Sequence, residues 1–102
     1  MIRERPGDGN AREHLGEVFM LWGDQFLKAG NLEQAVLRYD QAIMLRPADP
    51  ELRLNFGTAL ASLGRLEEAR SQLEAALRFN PGMQAARQAL ASIDARQRDK
   101  PK

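Results

Sequence analysis

The feature that most constrains this chain is an internal repeat of 34 residues. Small or conformationally special residues recur at this one offset. The identical pairs are Gly23 and Gly57, Gly30 and Gly64, Ala35 and Ala69, Ala42 and Ala76, and Pro47 and Pro81. A fixed period of this length is typical of stacked supersecondary units, each of which buries its apolar face against its neighbours. The sequence therefore predicts a short repeat array.

Each unit has the pattern of two helices joined by a tight turn. Apolar residues between 11 and 29 have helical spacing, with Asn10 as the predicted N-cap, and a second helix is predicted at 33–45. Gly30 and Asn31 offer a left-handed helix stop, and Pro47 and Pro50 cannot continue a helix. The second unit repeats this with helices at 50–63 and 67–79. No segment alternates as a strand would.

Small residues at fixed places should let neighbouring helices approach closely, and large residues should fill the gaps beside them. The predicted packing set is Trp22, Gly23, Phe26, Ala35, Tyr39, Ala42 and Pro47 in the first unit and Phe56, Gly57, Leu60, Ala69, Leu73, Ala76 and Pro81 in the second. Leu15, Val18 and Phe19 belong to the same apolar stripe of the first helix.

A third unit begins after residue 83 and does not finish. Its first helix is predicted at 83–98 with a polar outer face, as expected of a capping helix. The predicted organisation is an all-α domain at 11–98 with five helices. It comprises repeat one at 16–49, repeat two at 50–83 and the cap helix. Residues 1–10 are predicted to form a flexible segment and residues 99–102 a disordered tail.

The two full units resemble the tetratricopeptide repeat, whose pattern is W-x2-L-G-x2-Y…A-x3-F…P over 34 residues. The first unit has Phe19-x2-Trp22-Gly23-x2-Phe26, then Ala35-x3-Tyr39, then Pro47. The second has Arg53-x2-Phe56-Gly57-x2-Leu60, then Ala69-x3-Leu73, then Pro81. Arg53 departs from the aromatic position, where its aliphatic stem can cover apolar surface. The resemblance implies a helical-hairpin solenoid.

The resemblance also implies a function, since first helices in this family line a concave groove that holds a segment of a partner protein. By position, the groove residues are Glu17, Met20, Leu21, Asp24, Leu27, Lys28, Glu51, Leu54, Asn55, Thr58, Ser62 and Gln88, with Ala61, Ala85 and Ala89 beside them. We therefore expect a protein-binding adaptor. The alternative is a self-assembling structural protein, a homodimer in the simplest case, joined through Met20, Leu21 and Leu27.

Some tetratricopeptide co-chaperones hold the C-terminal carboxylate of a chaperone with lysines, asparagines and an arginine. Asn55 matches one such position in this chain. Asp24 stands where an asparagine is expected and would repel a carboxylate, while Ala85 and Ala89 replace the expected cations. The resemblance therefore does not extend to this carboxylate site.

Composition excludes other functions. The 15 basic and 14 acidic residues leave a net charge of +1, which provides no field for nucleic acid or an anionic membrane. Cysteine is absent, and His14 is the only histidine, so we expect no metal site, no cofactor and no catalysis. The sequence has no phosphate-binding loop, signal peptide or spanning helix. These features predict a soluble cytoplasmic protein.

Overall fold

A computed structural model describes the backbone of residues 5–98 and the side chains of residues 11–98. The helices in this range are α1 (Arg5–Lys28), α2 (Leu32–Leu45), α3 (Pro50–Ser62), α4 (Leu66–Phe79) and α5 (Gln84–Arg98). The described residues contain no strand. The predicted all-α architecture of five helices is thereby confirmed.

The first helix begins earlier than its pattern predicted. It starts at Arg5, so that Asn10, the predicted cap, lies inside it, and the predicted flexible segment is helical from residue 5 onward. Pro6 permits this because a proline in the first turn of a helix lacks only an N–H that would have no partner there. Residues 1–4 and the predicted tail at 99–102 lie outside the described residues.

A glycine with a positive φ angle follows the first helix of each unit. Gly30 and Gly64 have φ angles of 79° and 85°, in the left-handed region that a side chain disfavours. After each glycine the next amide reaches back to the helix: Asn31 N–H donates to the Phe26 carbonyl at 2.8 Å, and Arg65 N–H donates to the Leu60 carbonyl at 2.9 Å. This pattern closes the helix end and reverses the chain.

The helices form two layers. In the inner layer α1 contacts α3 and α3 contacts α5, whereas α2 and α4 lie outside and do not contact each other. Each outer helix packs between two inner ones: α2 against α1 and α3, and α4 against α3 and α5. Because only the inner helices form a continuous row, the array curves toward them, and the inner layer is its concave side.

Close contacts at the glycines set the spacing within each hairpin. A Cβ atom at Gly23 would lie 2.8 Å from Cδ1 of Tyr39, and one at Gly57 would lie 2.9 Å from Cγ of Leu73. Such distances are far below van der Waals contact, so each large side chain occupies the space that the glycine leaves open. The core of the described residues consists of Ala35, Val36, Tyr39, Ala42, Leu52, Phe56, Ala59, Leu60, Ala69, Leu73, Ala76, Ala86 and Ile93.

Trp22 departs from its predicted role as a buried gap-filler. It is 43% exposed, whereas Phe56, one repeat later, is only 6% exposed. The indole ring stacks between Phe19 and Phe26, with centroid distances of 6.3 Å, and the Arg38 guanidinium lies 4.1 Å from its centroid. The difference arises because no described helix packs in front of α1 as α2 packs in front of α3.

A partly buried polar link joins three helices. The Tyr39 hydroxyl of α2 donates to Oδ1 of Asp24 on α1, and the Asn55 amide of α3 donates to the same oxygen at 3.1 Å. Burial raises the pKa of the Tyr39 phenol, and the Asp24 carboxylate beside it raises that pKa further. The link therefore joins the first unit to the second through a carboxylate.

In the second and third units an arginine stands at the variant motif position and binds the preceding loop. Arg53 donates from Nε and Nη2 to the Pro47 carbonyl, at 3.0 and 2.8 Å, and from Nη1 to Gln72 at 2.9 Å. One repeat later, Arg87 donates from Nη2 alone to the equivalent carbonyl, that of Pro81. The departure from the aromatic motif thus supplies a repeated hydrogen bond between units.

The tight packing around Gly57 predicts that Ala69 cannot be enlarged. Ala69 is fully buried, and its carbonyl lies within 3.3 Å of a Cβ built at Gly57. Ala69→Leu should lower the free energy of unfolding by about 1–3 kcal/mol through overpacking. The matched control, Ala91→Leu, adds the same atoms to an exposed helical position and should change it by less than about 0.5 kcal/mol. Urea unfolding followed by circular dichroism measures both, and equal midpoints would contradict the packing described.

The Asp24 link predicts a specific loss of stability in alkali. Folding raises the pKa of Tyr39 above the value of about 10 that tyrosine has in an unfolded chain. The stability that the Tyr39 hydroxyl contributes is therefore fully present below about pH 10 and is lost as the pH rises above that value. Tyr39→Phe should cost about 1.5 kcal/mol at pH 8. The difference in unfolding free energy between wild type and variant should then narrow above about pH 10. Parallel pH profiles for the two proteins would show that the hydroxyl is not held as described.

Candidate protein-binding groove

The inner layer presents equivalent side chains in rows, because residues 34 apart occupy the same position on α1, α3 and α5. One row contains Glu17 and Glu51, and a second contains Lys28, Ser62 and Arg96. Between them lie rows of apolar and uncharged polar residues. These are Met20, Leu54 and Gln88, then Leu21, Asn55 and Ala89, then Asp24, Thr58 and Ser92, then Leu27, Ala61 and Ala95. The concave surface is therefore a strip across three helices with differently charged edges.

The two edges carry opposite charge. Glu17 and Glu51 are exposed on the edge nearer the helix N-termini, and Lys28 and Arg96 are exposed on the edge nearer the C-termini. Arg96 also donates to the Ala61 carbonyl at 3.2 Å, which holds its side chain across the groove toward α3. A segment lying across the helices would thus meet acidic groups along one side and basic groups along the other.

The structure leaves some predicted groove residues open and half-buries the others. Glu17, Leu21, Lys28, Glu51, Thr58, Ser62 and Gln88 are exposed, and Met20, Asp24, Leu27, Leu54 and Asn55 are partly buried. Met20, Leu27 and Leu54 pack against the core and form an apolar floor. Of the three residues on which the predicted self-assembly rests, only Leu21 is therefore exposed.

The centre of the groove is anionic and already bonded. Asp24 accepts hydrogen bonds from Tyr39 and Asn55, so the Asn55 amide points at a carboxylate within the protein. The two alanines at the positions where cations were expected differ in exposure: Ala85 is exposed, and Ala89 packs against the core. A free carboxylate at this place would meet the Asp24 carboxylate, whereas the cations Lys28 and Arg96 stand at the edge of the groove.

Of an exposed apolar face on α1, the sequence pattern predicted only Leu21 as a contact residue. Leu15, Val18, Leu21 and Trp22 are 48%, 51%, 52% and 43% exposed, although Leu15 and Val18 belong to the stripe expected to pack inward. Alignment of the repeats distinguishes the two positions, since Val18 is equivalent to the buried Leu52 but no described helix packs in front of α1. Helical periodicity identifies an apolar stripe without showing whether a neighbour covers it.

The outer side holds a cleft where α2 and α4 separate. It has a volume of about 410 Å³, with Phe56 and Leu60 of α3 among its lining residues. Arg65 and Glu68 lie at its rim and pair at 2.6 Å, and each shifts the other's pKa, that of Arg65 upward and that of Glu68 downward. Among the predicted site residues, only Phe56 and Leu60 of the packing set line this cleft.

The remaining predictions concern metal ligands, His14 and membrane-spanning helices. Residues 11–98, whose side chains the structure describes, contain no group of three histidine, cysteine or acidic side chains placed to hold a metal ion. His14, the only histidine, is exposed near the middle of α1. None of the helices described is long and apolar enough to span a bilayer.

Comparison with known proteins agrees with the repeat. The family model for the tetratricopeptide repeat matches residues 26–93. Two curated Arabidopsis thaliana proteins, TPR repeat-containing thioredoxin TTL4 and inactive TPR repeat-containing thioredoxin TTL3, are 42% and 35% identical over 71 residues. These matches cover 70% of this chain but only 10% of each relative, so the chain spans a small part of them.

Solved structures show the same fold. The second TPR domain of human RPAP3, in complex with the HSP70 peptide SGPTIEEVD, is 29% identical with a TM-score of 0.75, covering 78% of this chain and 66% of that one. The first TPR of Spaghetti (RPAP3), bound to the HSP90 peptide SRMEEVD, is 20% identical with a TM-score of 0.79, covering 84% and 70%. With a family match over most of its length and a 34-residue repeat folded into stacked helical hairpins, the chain belongs to the tetratricopeptide-repeat family.

Proposed function

We propose that this chain is a protein-interaction module that holds a segment of a partner protein against its concave inner layer. The observation that carries the proposal is the continuous row of α1, α3 and α5, which combines a half-buried apolar floor with exposed polar edges. A rigid helical array of this kind binds by burying an extended or helical segment. The proposal assigns binding and no catalysis to the chain.

The composition of the groove defines the chemistry of its partner. Met20, Leu27 and Leu54 form a floor that apolar side chains of the partner would cover. The acidic edge at Glu17 and Glu51 would favour basic residues, and the basic edge at Lys28 would favour acidic ones. The favoured ligand is therefore an amphipathic segment with an apolar centre and oppositely charged flanks.

The same groove disfavours the ligand class seen in the structural neighbours. The RPAP3 domain binds a peptide that ends in the acidic sequence EEVD. In this chain Asp24 carries a negative charge at the centre of the groove and is held in place by Tyr39 and Asn55. We therefore expect a partner bound through internal residues, without capture of a C-terminal carboxylate.

Selection from a random displayed peptide library, followed by calorimetry, tests the proposed groove. Thr58→Arg places a large cation at an exposed position of the inner layer and should weaken a selected peptide by at least about tenfold. Ser71→Arg makes the same type of change on the outer helix α4, beside the cleft, and should leave the affinity unchanged. Equal effects of the two variants, or failure to enrich any peptide, would refute the proposed groove.

The role of Asp24 can be tested with the peptide SGPTIEEVD. Wild type should bind it weakly, and Asp24→Asn should raise its affinity by about fivefold, since removing one nearby like charge in a wet groove is worth about 1 kcal/mol. The asparagine oxygen can still accept from Tyr39 and Asn55, so the fold should persist. Glu17→Gln removes the same charge at the edge of the groove and serves as the control. An unchanged affinity in Asp24→Asn would show that Asp24 does not determine this selectivity.

A further inference from the structure

We infer that the partner segment carries one arginine or lysine within its apolar stretch, and that Asp24 binds this side chain through its Oδ2 atom. Such binding rests on the proposed function, since the side chain belongs to a segment held in the groove. It adds one requirement to the amphipathic segment proposed above. A cation lies against the centre of the groove, and not only along its acidic edge.

The two oxygens of Asp24 are used differently within the protein. Oδ1 accepts hydrogen bonds from the Tyr39 hydroxyl and from the Asn55 amide, whereas no described residue donates to Oδ2. Among the described residues, Arg38 Nε is the only buried side-chain polar atom without a partner, so Oδ2 is open to solvent. The two bonds to Oδ1 hold the carboxylate in place, which leaves Oδ2 as a preorganised acceptor with unused lone pairs.

The charge of Asp24 is not neutralised by a described side chain. Its two donors are neutral groups, and none of the ion pairs among the described residues includes it. Lys28 lies one turn further along α1 but is exposed and forms no ion pair with Asp24. Because Asp24 is partly buried, water screens its charge less than that of an exposed acid, and a cation from a ligand is attracted more strongly.

Asp24 is the only charged residue in its row of the inner layer. Thr58 and Ser92 occupy the same position one and two repeats later. The Thr58 hydroxyl is already bonded within the protein, because it donates to the Leu54 carbonyl at 2.9 Å. A segment that lies along the groove therefore meets one central acid, and a single cation sets its register on the three helices.

The surroundings of Asp24 favour a long basic side chain. Met20 and Leu27 are its neighbours on the same face of α1, and both are partly buried against the core. The aliphatic stem of an arginine or lysine covers apolar surface of this kind while its charged end remains hydrogen-bonded. The α-ammonium group at a partner's N-terminus carries the same charge but has no stem, so it would leave this floor uncovered.

Parallel selections from one random displayed peptide library, with wild type and Asp24→Asn as targets, provide the first test. Wild type should enrich sequences that align on one arginine or lysine flanked by apolar residues, and Asp24→Asn should enrich apolar sequences without it. Failure to enrich any peptide would refute the groove and the cation together. Enriched wild-type sequences without a shared basic position would overturn the cation and leave the groove intact.

Calorimetry with a peptide selected on wild type measures the contact itself. The peptide is acetylated and amidated, so that its termini carry no charge, and its analogue has citrulline in place of the arginine or norleucine in place of the lysine. The neutral analogue should bind wild type at least about tenfold more weakly than the parent peptide does. On Asp24→Asn the two peptides should differ by less than about twofold, because the variant has lost the contact already.

The matched control is Glu17→Gln/Glu51→Gln, which removes both exposed acids from the edge of the groove. This variant should preserve the tenfold difference between the two peptides, with its fold checked by circular dichroism. A difference that disappears in the control would place the cation at the acidic edge and overturn the inference, and so would a difference that survives in Asp24→Asn. The control also decides the matter if Asp24→Asn does not fold, because Asp24 is then the remaining acid of the groove.

Discussion

The structure depends on two places where a helix backbone meets a large side chain without an intervening Cβ. Gly23 admits the ring of Tyr39, and Gly57 admits the side chain of Leu73. These contacts bring the two helices of each hairpin close enough for the surrounding alanines to be fully buried. Because both contacts recur at the same offset, the two hairpins have the same shape and can stack with their first helices in one row.

The shape of the stack separates the inner and outer surfaces of the protein. Contact between the inner helices gives a continuous concave strip, whereas the outer helices diverge and leave a cleft above α3. The link from Asp24 to Tyr39 and Asn55 crosses from the first unit to the second just beneath the strip. The residue that gives the candidate groove its central charge therefore also helps to hold the two units together, so the proposed selectivity and the stability of the fold would both change with Asp24.

Repeat periodicity predicted most of the fold, because glycine, alanine and proline have few substitutes where backbones touch or reverse. The turns at Gly30 and Gly64 and the buried positions of Ala35 and Ala69 follow directly from this constraint. The start of α1 at Arg5 did not, since the apolar pattern begins only later in the helix and polar residues give no periodic signal. Nor did the pattern show that Val18 and Trp22 are exposed, because burial of a stripe depends on a neighbour.

The repeat pattern predicted which residues lie on the inner layer, but it did not predict the hydrogen bonds that these residues make. The family pattern assigned Asp24 and Asn55 to the concave face, yet their joint contact with Tyr39 depends on a tertiary arrangement of three helices. The role of Arg53 was likewise hidden: its position suggested a stem covering apolar surface, whereas the structure shows its guanidinium bound to a loop carbonyl. The role of a residue that departs from the motif, such as Arg53, becomes clear only when its hydrogen-bond partners are known.

The central claim is that the inner layer, and not the outer cleft, is the binding surface. Amide hydrogen exchange, measured with and without a peptide selected for binding, tests it most directly, since it locates the protected region without altering the protein. The account predicts added protection along α1 and α3 between residues 17–28 and 51–62, with α4 unchanged. Added protection confined to α2 and α4, around Leu37 and Ser71 at the outer cleft, would contradict it.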